Sequence, residues 1–298
     1  MNENNEMVSV IIPSYGGGQY LQRSIESVLS QTYKNIECIV VDDNGLGCPN
    51  QLKTAEVMRQ YAENKDVYYI THEVNINGSA ARNTGVKHSH GEYICLLDDD
   101  DVYYPDKIEK QISALKKAGS QYGLTYCSVE IYEEGKPVRI RNVHDSTDYL
   151  LDLLLHKQVI GSSSLMVRKS LWNDLNGFDE SFKRHQDYEF TARAASITKI
   201  LPTDFVGFRY FVYRRNNPKN FRKALEYRNN YLNKMDNLIR RYPSHIQREI
   251  IAENKLRLAM DAYLAKEYKD ALYIVNDTHI GIYKYIFLLK CLFHRLRS

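Results

Sequence analysis

The sequence predicts an α/β fold, with a mainly parallel central sheet flanked by helices and a C-terminal helical extension. Short apolar runs alternate with helix-period segments over residues 8–118. The runs are almost continuously apolar, as in strands covered on both faces. Charge divides the chain as well. Residues 208–298 hold 19 Lys and Arg against 8 Asp and Glu, whereas 1–207 hold 21 against 29. Two units with different partners are expected from that split.

The elements follow in order. Residues 8–13 read as a buried strand ended by Pro13 and the Gly16, Gly17, Gly18 turn. Over 21–31, Leu21, Ile25, Val28 and Leu29 recur at helical spacing. A second strand, 37–42, ends in acid and the Asn44-Gly45 turn, and a helix near 52–62 comes next. A strand near 67–71, a helix near 80–88 and the strand 93–97 continue the alternation. Pro105 is expected at the first position of a helix through Ala118, where a missing N–H is tolerated. Residues 122–213 mix strands (123–132, 163–168, 206–213) with helices (147–156, 186–196). From 218 onward the pattern is helical, and 258–275 resembles a single helix–turn–helix repeat unit.

Composition narrows the class. Of 298 residues, 43% are hydrophobic and 26% charged, which excludes bulk disorder. No apolar run approaches the ~18 residues of a membrane span. Residues 1–7 are polar and acidic, so no signal peptide is expected. The five cysteines (38, 48, 95, 127, 291) include no C-x-x-C pair. Reduced thiols and a cytoplasmic location are expected, rather than a disulfide framework or a zinc knuckle.

Ligands on parallel sheets bind beyond the strand C-terminal ends, and three strands end there in chemically active residues. Asp98, Asp99, Asp100 and Asp101 form an unbroken acidic run whose repulsion a divalent cation with oxygen ligands would relieve. Mg²⁺ or Mn²⁺ held this way shares its shell with substrate phosphates; the alternative is an N-cap cluster for the next helix. Asp42 and Asp43 can accept from a nucleobase N–H or simply serve the turn. Residues 75–85 form a loop leading into a helix, and Arg82 offers a planar fork to phosphate, or is a surface arginine. Asp187 and Glu189 open a helix, where a carboxylate can act as general base to a hydroxyl or complement the helix end.

Together, in this order, these stretches resemble the family-2 glycosyltransferases of the Rossmann-like GT-A fold. The matches are residues 8–15 (Val-Ser-Val-Ile-Ile-Pro-Ser-Tyr), 24–33 (Ser-Ile-Glu-Ser-Val-Leu-Ser-Gln-Thr-Tyr), 40–43 (Val-Val-Asp-Asp) and 79–83 (Ser-Ala-Ala-Arg-Asn). They continue with 91–94 (Gly-Glu-Tyr-Ile), the aspartate run, 177–180 (Gly-Phe-Asp-Glu) and 186–189 (Gln-Asp-Tyr-Glu). The resemblance covers residues 7–213. It implies an inverting transfer of one sugar from a nucleotide-diphosphate sugar, a UDP-sugar, to a hydroxyl of a glycan or lipid-linked acceptor in surface polysaccharide biosynthesis. It places Pro13, Tyr15 and Asp43 at the nucleobase, Arg82 at the diphosphate and Asp99 near the ribose. The metal, Mn²⁺ or Mg²⁺, falls to Asp98 and Asp100, and the base to Asp187. The family's Gln-x-x-Arg-Trp motif for processive action is missing. Asn77 stands where many members have Gly, and Gln186 replaces an acid.

The domain boundaries expected are 1–213 for the catalytic domain and 214–298 for a basic helical region. The nucleotide-sugar half covers about 1–118 and the acceptor half about 119–213. Rival readings are a non-catalytic binding subunit on the same scaffold, which would be marked by loss of Asp100 or Asp187, and a sugar-1-phosphate nucleotidyltransferase. The second needs a basic glycine-rich loop, and residues 15–20 have no basic residue. A dinucleotide dehydrogenase is excluded by the lack of G-x-G-x-x-G. Arg214, Arg215, Lys219, Arg222 and Lys223 suit phosphates or solvent, and no nucleic-acid motif accompanies them. In 281–298, Lys284, Lys290, His294, Arg295 and Arg297 share an arc of about 160° at ~100° per residue. Such a helix can lie on the inner face of the cell membrane or dock on the preceding helices.

Overall fold

A computed structural model describes residues 6–213, 220–278, 281, 282, 285–289 and 291. Arg214, Arg215 and Lys219, and the basic residues 284, 290, 294, 295 and 297, lie outside the described residues. The chain divides into two compact units: residues 1–147 with 160–213, and residues 148–159 with 214–298.

In the first unit, β1 (Val8–Ser14), α1 (Leu21–Leu29), β2 (Ile36–Asp42), α2 (Pro49–Arg59) and β3 (Val67–Thr71) follow the expected alternation. Then come α3 (Gly78–Lys87), β4 (Tyr93–Leu96), the two-residue β5 (Val102–Tyr103) and α4 (Lys107–Ala118). Next are β6 (Tyr122–Glu133) and β7 (Lys136–Arg141). Helix α5 (Tyr149–Leu154) belongs to the second unit. The first unit resumes with a 3-10 turn at Ser162–Ser164, β8 (Leu165–Arg168), α6 (Lys169–Asp174), α7 (Gln186–Ala195) and β9 (Lys199–Val212).

The strands form one sheet ordered β3-β2-β1-β4-β8-β6-β9-β5, with β7 also on β6. Strands β1 to β4 pair in parallel. Beyond them, β8 is antiparallel to β4 and to β6, and β6 runs parallel to β9. The parallel half therefore matches the expectation and the second half is mixed. Val10, Ile12, Cys38, Val40 and Cys95 are wholly buried against Leu21, Ile25 and Val28 of α1. On the opposite face, α3 rides so close to β1 that a Cβ on Gly85 would lie 2.3 Å from Ile11 Cγ2.

One helix start departs from expectation. Pro105 lies before α4, whose N-cap is Asp106. Its carbonyl accepts from Thr32 N at 2.8 Å. The first turn of α4 is satisfied from a distance in sequence: Gln31 Oε1 accepts from Ile108 N at 3.1 Å while Gln31 Nε2 donates to Tyr104 O at 2.7 Å. Gln31 thus joins α1 to the start of α4 by supplying an orphan donor with its acceptor.

The second unit packs α5 with α8 (Phe221–Ile239), α9 (Ser244–Leu264) and α10 (Tyr268–Asn276). Buried Asn254 on α9 donates to Leu154 O and its Oδ1 meets His156 Nε2 at 2.9 Å. Phe287 and Cys291 are buried against Ala252, Leu256, Ala259 and Ala271. No helix of the described residues is long and apolar enough to cross a membrane.

Candidate active site

The site lies in the first unit, beyond the C-terminal ends of β1, β2 and β4. Asp42 and Asp43 have separate tasks. Asp42, wholly buried, accepts from Tyr69 Oη at 2.6 Å and from Asn44 N at 2.9 Å, so it serves the turn. Asp43 moulds the next loop: its Oδ1 meets His72 Nδ1 at 2.8 Å and accepts from Ile76 N at 2.9 Å, and its Oδ2 accepts from Asn75 Nδ2 at 2.8 Å. Of about four acceptor positions on a carboxylate, one on Oδ2 remains.

The aspartate run is four carboxylates with four environments. Asp98 Oδ1 is paired with Arg82 Nη2, and the Asp98 side chain is still 38% exposed. Asp99 Oδ2 accepts from Ser14 Oγ at 2.9 Å and from Tyr15 N at 3.2 Å. Burial, reinforced by Asp100 and Asp98, pushes its pKa up to about 7 against those bonds. Asp100 stays half-buried. Asp101 is buried, accepting from Ser163 Oγ at 2.7 Å, and burial with Asp98 and Asp100 raises its pKa well above the ordinary value. The repulsion anticipated from sequence is thus met by one guanidinium and by two carboxyls driven towards their neutral forms. Among the described residues no three His, Cys, Asp or Glu converge as a metal cage. The arrangement fits an ion with one or two protein carboxylates and donor phosphates, which is how Mg²⁺ is usually held. Asp98, Asp99 and Asp100 are all half-buried, and Asp99 Oδ2 is engaged by Ser14 and Tyr15.

The other carboxylate reaches the site because two sequence motifs dock on each other. Asn77 caps α3, its Oδ1 accepting from Ser79 N at 2.9 Å and Ala80 N at 3.0 Å. Its amide donates to Glu180 O at 2.9 Å, so a glycine here would lose both cap and tether. Ser79 Oγ donates to Phe182 O at 2.8 Å, and Asn83 exchanges bonds with the Phe178 backbone, both at 2.9 Å. Gly177 has φ +67°, and a Cβ there would lie 2.5 Å from Asn83 Oδ1. Beneath the loop, Trp172, Phe178 and Phe190 pack edge-on or tilted. The loop delivers α7 so that Asp187 lies within electrostatic reach of Arg82 and Asp98. Burial raises the Asp187 pKa to about 6, with Arg82 opposing and Asp98 adding to the rise. Glu189 is 2% exposed and ion-paired with Arg193. Arg193 also donates to Leu175 O at 2.6 Å and Gly177 O at 2.8 Å, so Glu189 holds the loop.

Pro13 lies inside β1, opposite Val41, and Tyr15 follows the strand with 67% of its surface open. Some residues at the site were not anticipated. Arg23 of α1 lies 3.9 Å from the Phe211 ring centroid and donates to Asp100 O at 2.8 Å and to Tyr213 Oη at 3.0 Å. Tyr213 stacks on Tyr20 at 4.4 Å. This stack holds the end of β9 against the aspartate loop. The run of aromatics around Arg209 at 208–213 was its only signal in the sequence. Ser163, which bridges Asp98 N and Asp101, carried none.

Known glycosyltransferases resemble the chain over this region. The family model described as Glycosyl transferase family 2 matches residues 9–175. An uncharacterized glycosyltransferase of Rickettsia typhi is 34% identical over 206 residues, covering 67% of this chain and 62% of that protein. The amylovoran biosynthesis glycosyltransferase AmsB of Erwinia amylovora is 29% identical over 197 residues, 62% of this chain and 63% of that one. The match thus spans just under two thirds of these relatives. Among solved structures, a mannosyltransferase from Pyrobaculum calidifontis in complex with GDP-Man and Mn²⁺ superposes with a TM-score of 0.61 at 16% identity, covering 97% of this chain and 80% of that one.

Proposed function

The chain belongs to glycosyl transferase family 2 and has its GT-A fold, and from that premise we propose that it moves one sugar from a nucleotide-diphosphate sugar, a UDP-sugar, to a hydroxyl of a glycan or lipid-linked acceptor, with inversion. AmsB, named for amylovoran biosynthesis, supports a role in surface polysaccharide biosynthesis.

The observation that carries the proposal is Asp187, within electrostatic reach of Arg82 and Asp98 and with its pKa raised to about 6. At neutral pH it is ionised, yet it is a stronger base than an ordinary aspartate. It takes the acceptor proton as the oxygen attacks the anomeric carbon from the face opposite the diphosphate. One base and no protein nucleophile suit inversion. Arg82 offers its fork to the departing diphosphate, where charge grows in the transition state. Asp43, with its one remaining acceptor position, suits a base N–H; Pro13 and Tyr15 line the same strand end, and Asp99 serves the ribose. Mn²⁺ or Mg²⁺ on Asp98 and Asp100 would supply Lewis-acid stabilisation of the same leaving group. Residues 281–298 are proposed to rest on an anionic membrane surface at its cytoplasmic side. Ile282, Tyr285, Leu288 and Leu289 are exposed, while Phe287 and Cys291 do the packing.

Asp187→Asn keeps size and removes basicity. It should lower kcat by ~10²–10⁴-fold with UDP affinity little changed, whereas Glu189→Gln should act through stability. Near-normal turnover in Asp187→Asn would overturn the assignment. In the parent enzyme, activity should fall as pH drops through about 6.

A further inference from the structure

The proposed reaction leaves the β7 hairpin without a task. Register places it nonetheless. Arg139 pairs with Ile131, and Ile131 with Tyr210; Arg141 pairs with Val129, and Val129 with Phe208. Side chains alternate along a strand and agree across a pair. Arg139, Arg141 and Tyr210 therefore leave one face of the β7–β6–β9 ribbon. Tyr210 stands within electrostatic reach of Asp98, Asp100 and Asp101. Arg141 is exposed, and Arg139, Tyr188, Tyr210 and Asp187 all lie within electrostatic reach of its guanidinium. No side-chain hydrogen bond or ion pair joins Arg139 or Arg141 to another described residue.

A guanidinium within electrostatic reach of a general base, but not paired to it, leaves its fork of donors open. It suits a ligand that brings its own negative charge. The diphosphate has Arg82; Arg141 lies instead on the side of Asp187, where the acceptor hydroxyl must come. We propose that Arg141, supported by Arg139 and the phenols of Tyr188 and Tyr210, forms an anion subsite for the acceptor, taking a carboxylate or phosphate borne by the sugar that is glycosylated. This rests on the reading of Asp187 as the acceptor base. A planar fork suits either anion bidentately.

Binding of three probes to the full chain, loaded with UDP and Mg²⁺, tests this by ligand-observed NMR. The probes share one ring: methyl glucoside, methyl glucuronide and methyl glucoside 6-phosphate. At least one anionic probe should bind about 10- to 100-fold more tightly than the neutral one, as expected for a charged hydrogen-bonded pair. Which anion wins identifies a uronate or a phosphate source. Arg141→Gln should cancel the preference and Arg141→Lys should keep part of it, with UDP affinity unchanged in both. Failure of both anions to bind better than the neutral probe would overturn the proposal. So would a preference that survives Arg141→Gln, or loss of UDP binding in that variant, which would assign the arginine to the donor. Because the readout is binding, it is separate from turnover of Asp187→Asn, which judges the base.

Discussion

The raised pKa of Asp187 makes it a burden on the fold at neutral pH, and removing its charge should stabilise the protein. A carboxyl at about 6 in the fold and 3.8 when unfolded binds its proton more readily in the native chain. Stability from this group is therefore greatest below about 4 and is lost as pH rises through 6. The gap of about two pH units converts, at about 1.4 kcal/mol each, to about 3 kcal/mol of destabilisation at pH 7.5. Asp187→Asn should recover much of that while losing turnover, since Asn keeps an acceptor for Tyr188 N and leaves Arg82 paired with Asp98. Urea or thermal unfolding of both proteins at pH 7.5, 6 and 4.5 measures it, with about 2–4 °C expected per kcal/mol for a unit of this size. The variant should be ahead at pH 7.5, and the difference should shrink as pH falls. A variant less stable than the parent at pH 7.5, or a difference that ignores pH, would refute the argument that burial sets this carboxyl.

Chelation should abolish donor turnover, with Mn²⁺ or Mg²⁺ restoring it; full activity in chelator would remove the metal from Asp98 and Asp100. Gly177→Ala forces a side chain into a left-handed backbone against Asn83, so it should cost roughly 1–3 kcal/mol in unfolding and lower activity by displacing α7. An unchanged unfolding midpoint would contradict that. Deleting 281–298 should reduce co-sedimentation with anionic liposomes, and equal binding of the two chains would dismiss the membrane contact.

The strand ends were legible because buried parallel strands leave unbroken apolar runs, and functional groups cluster where those runs stop. β1, β2 and β4 and the aspartates after them are where the patterning placed them. What pairing alone decides was hidden. β7 contains Pro137 and three basic residues and buries none of its side chains, so only its pairing with β6 makes it a strand. The first half of β9 contains Pro202 and Asp204 and is likewise a strand through its pairing with β6. Residues 148–159 fold with the C-terminal helices through Asn254 and Tyr242, long-range bonds that local periodicity does not register. At the site, residue types were readable, but their protonation was not. Adjacent aspartates look alike in sequence, and only burial and the Arg82 pair distinguish them.

The β7 hairpin has a consequence for handling the protein. All six residues of the strand are exposed, and Val138 and Ile140 turn apolar surface outward at 49% and 52%. An uncovered strand bearing such residues is a template for pairing with another chain. Here Pro137 removes one backbone donor, the register slips between Ile131 and Tyr132, and Lys136, Arg139 and Arg141 keep like chains apart by charge. The cations that face a substrate also guard against self-association. Neutralising both arginines at once should therefore yield a chain that precipitates at concentrations the single variants tolerate.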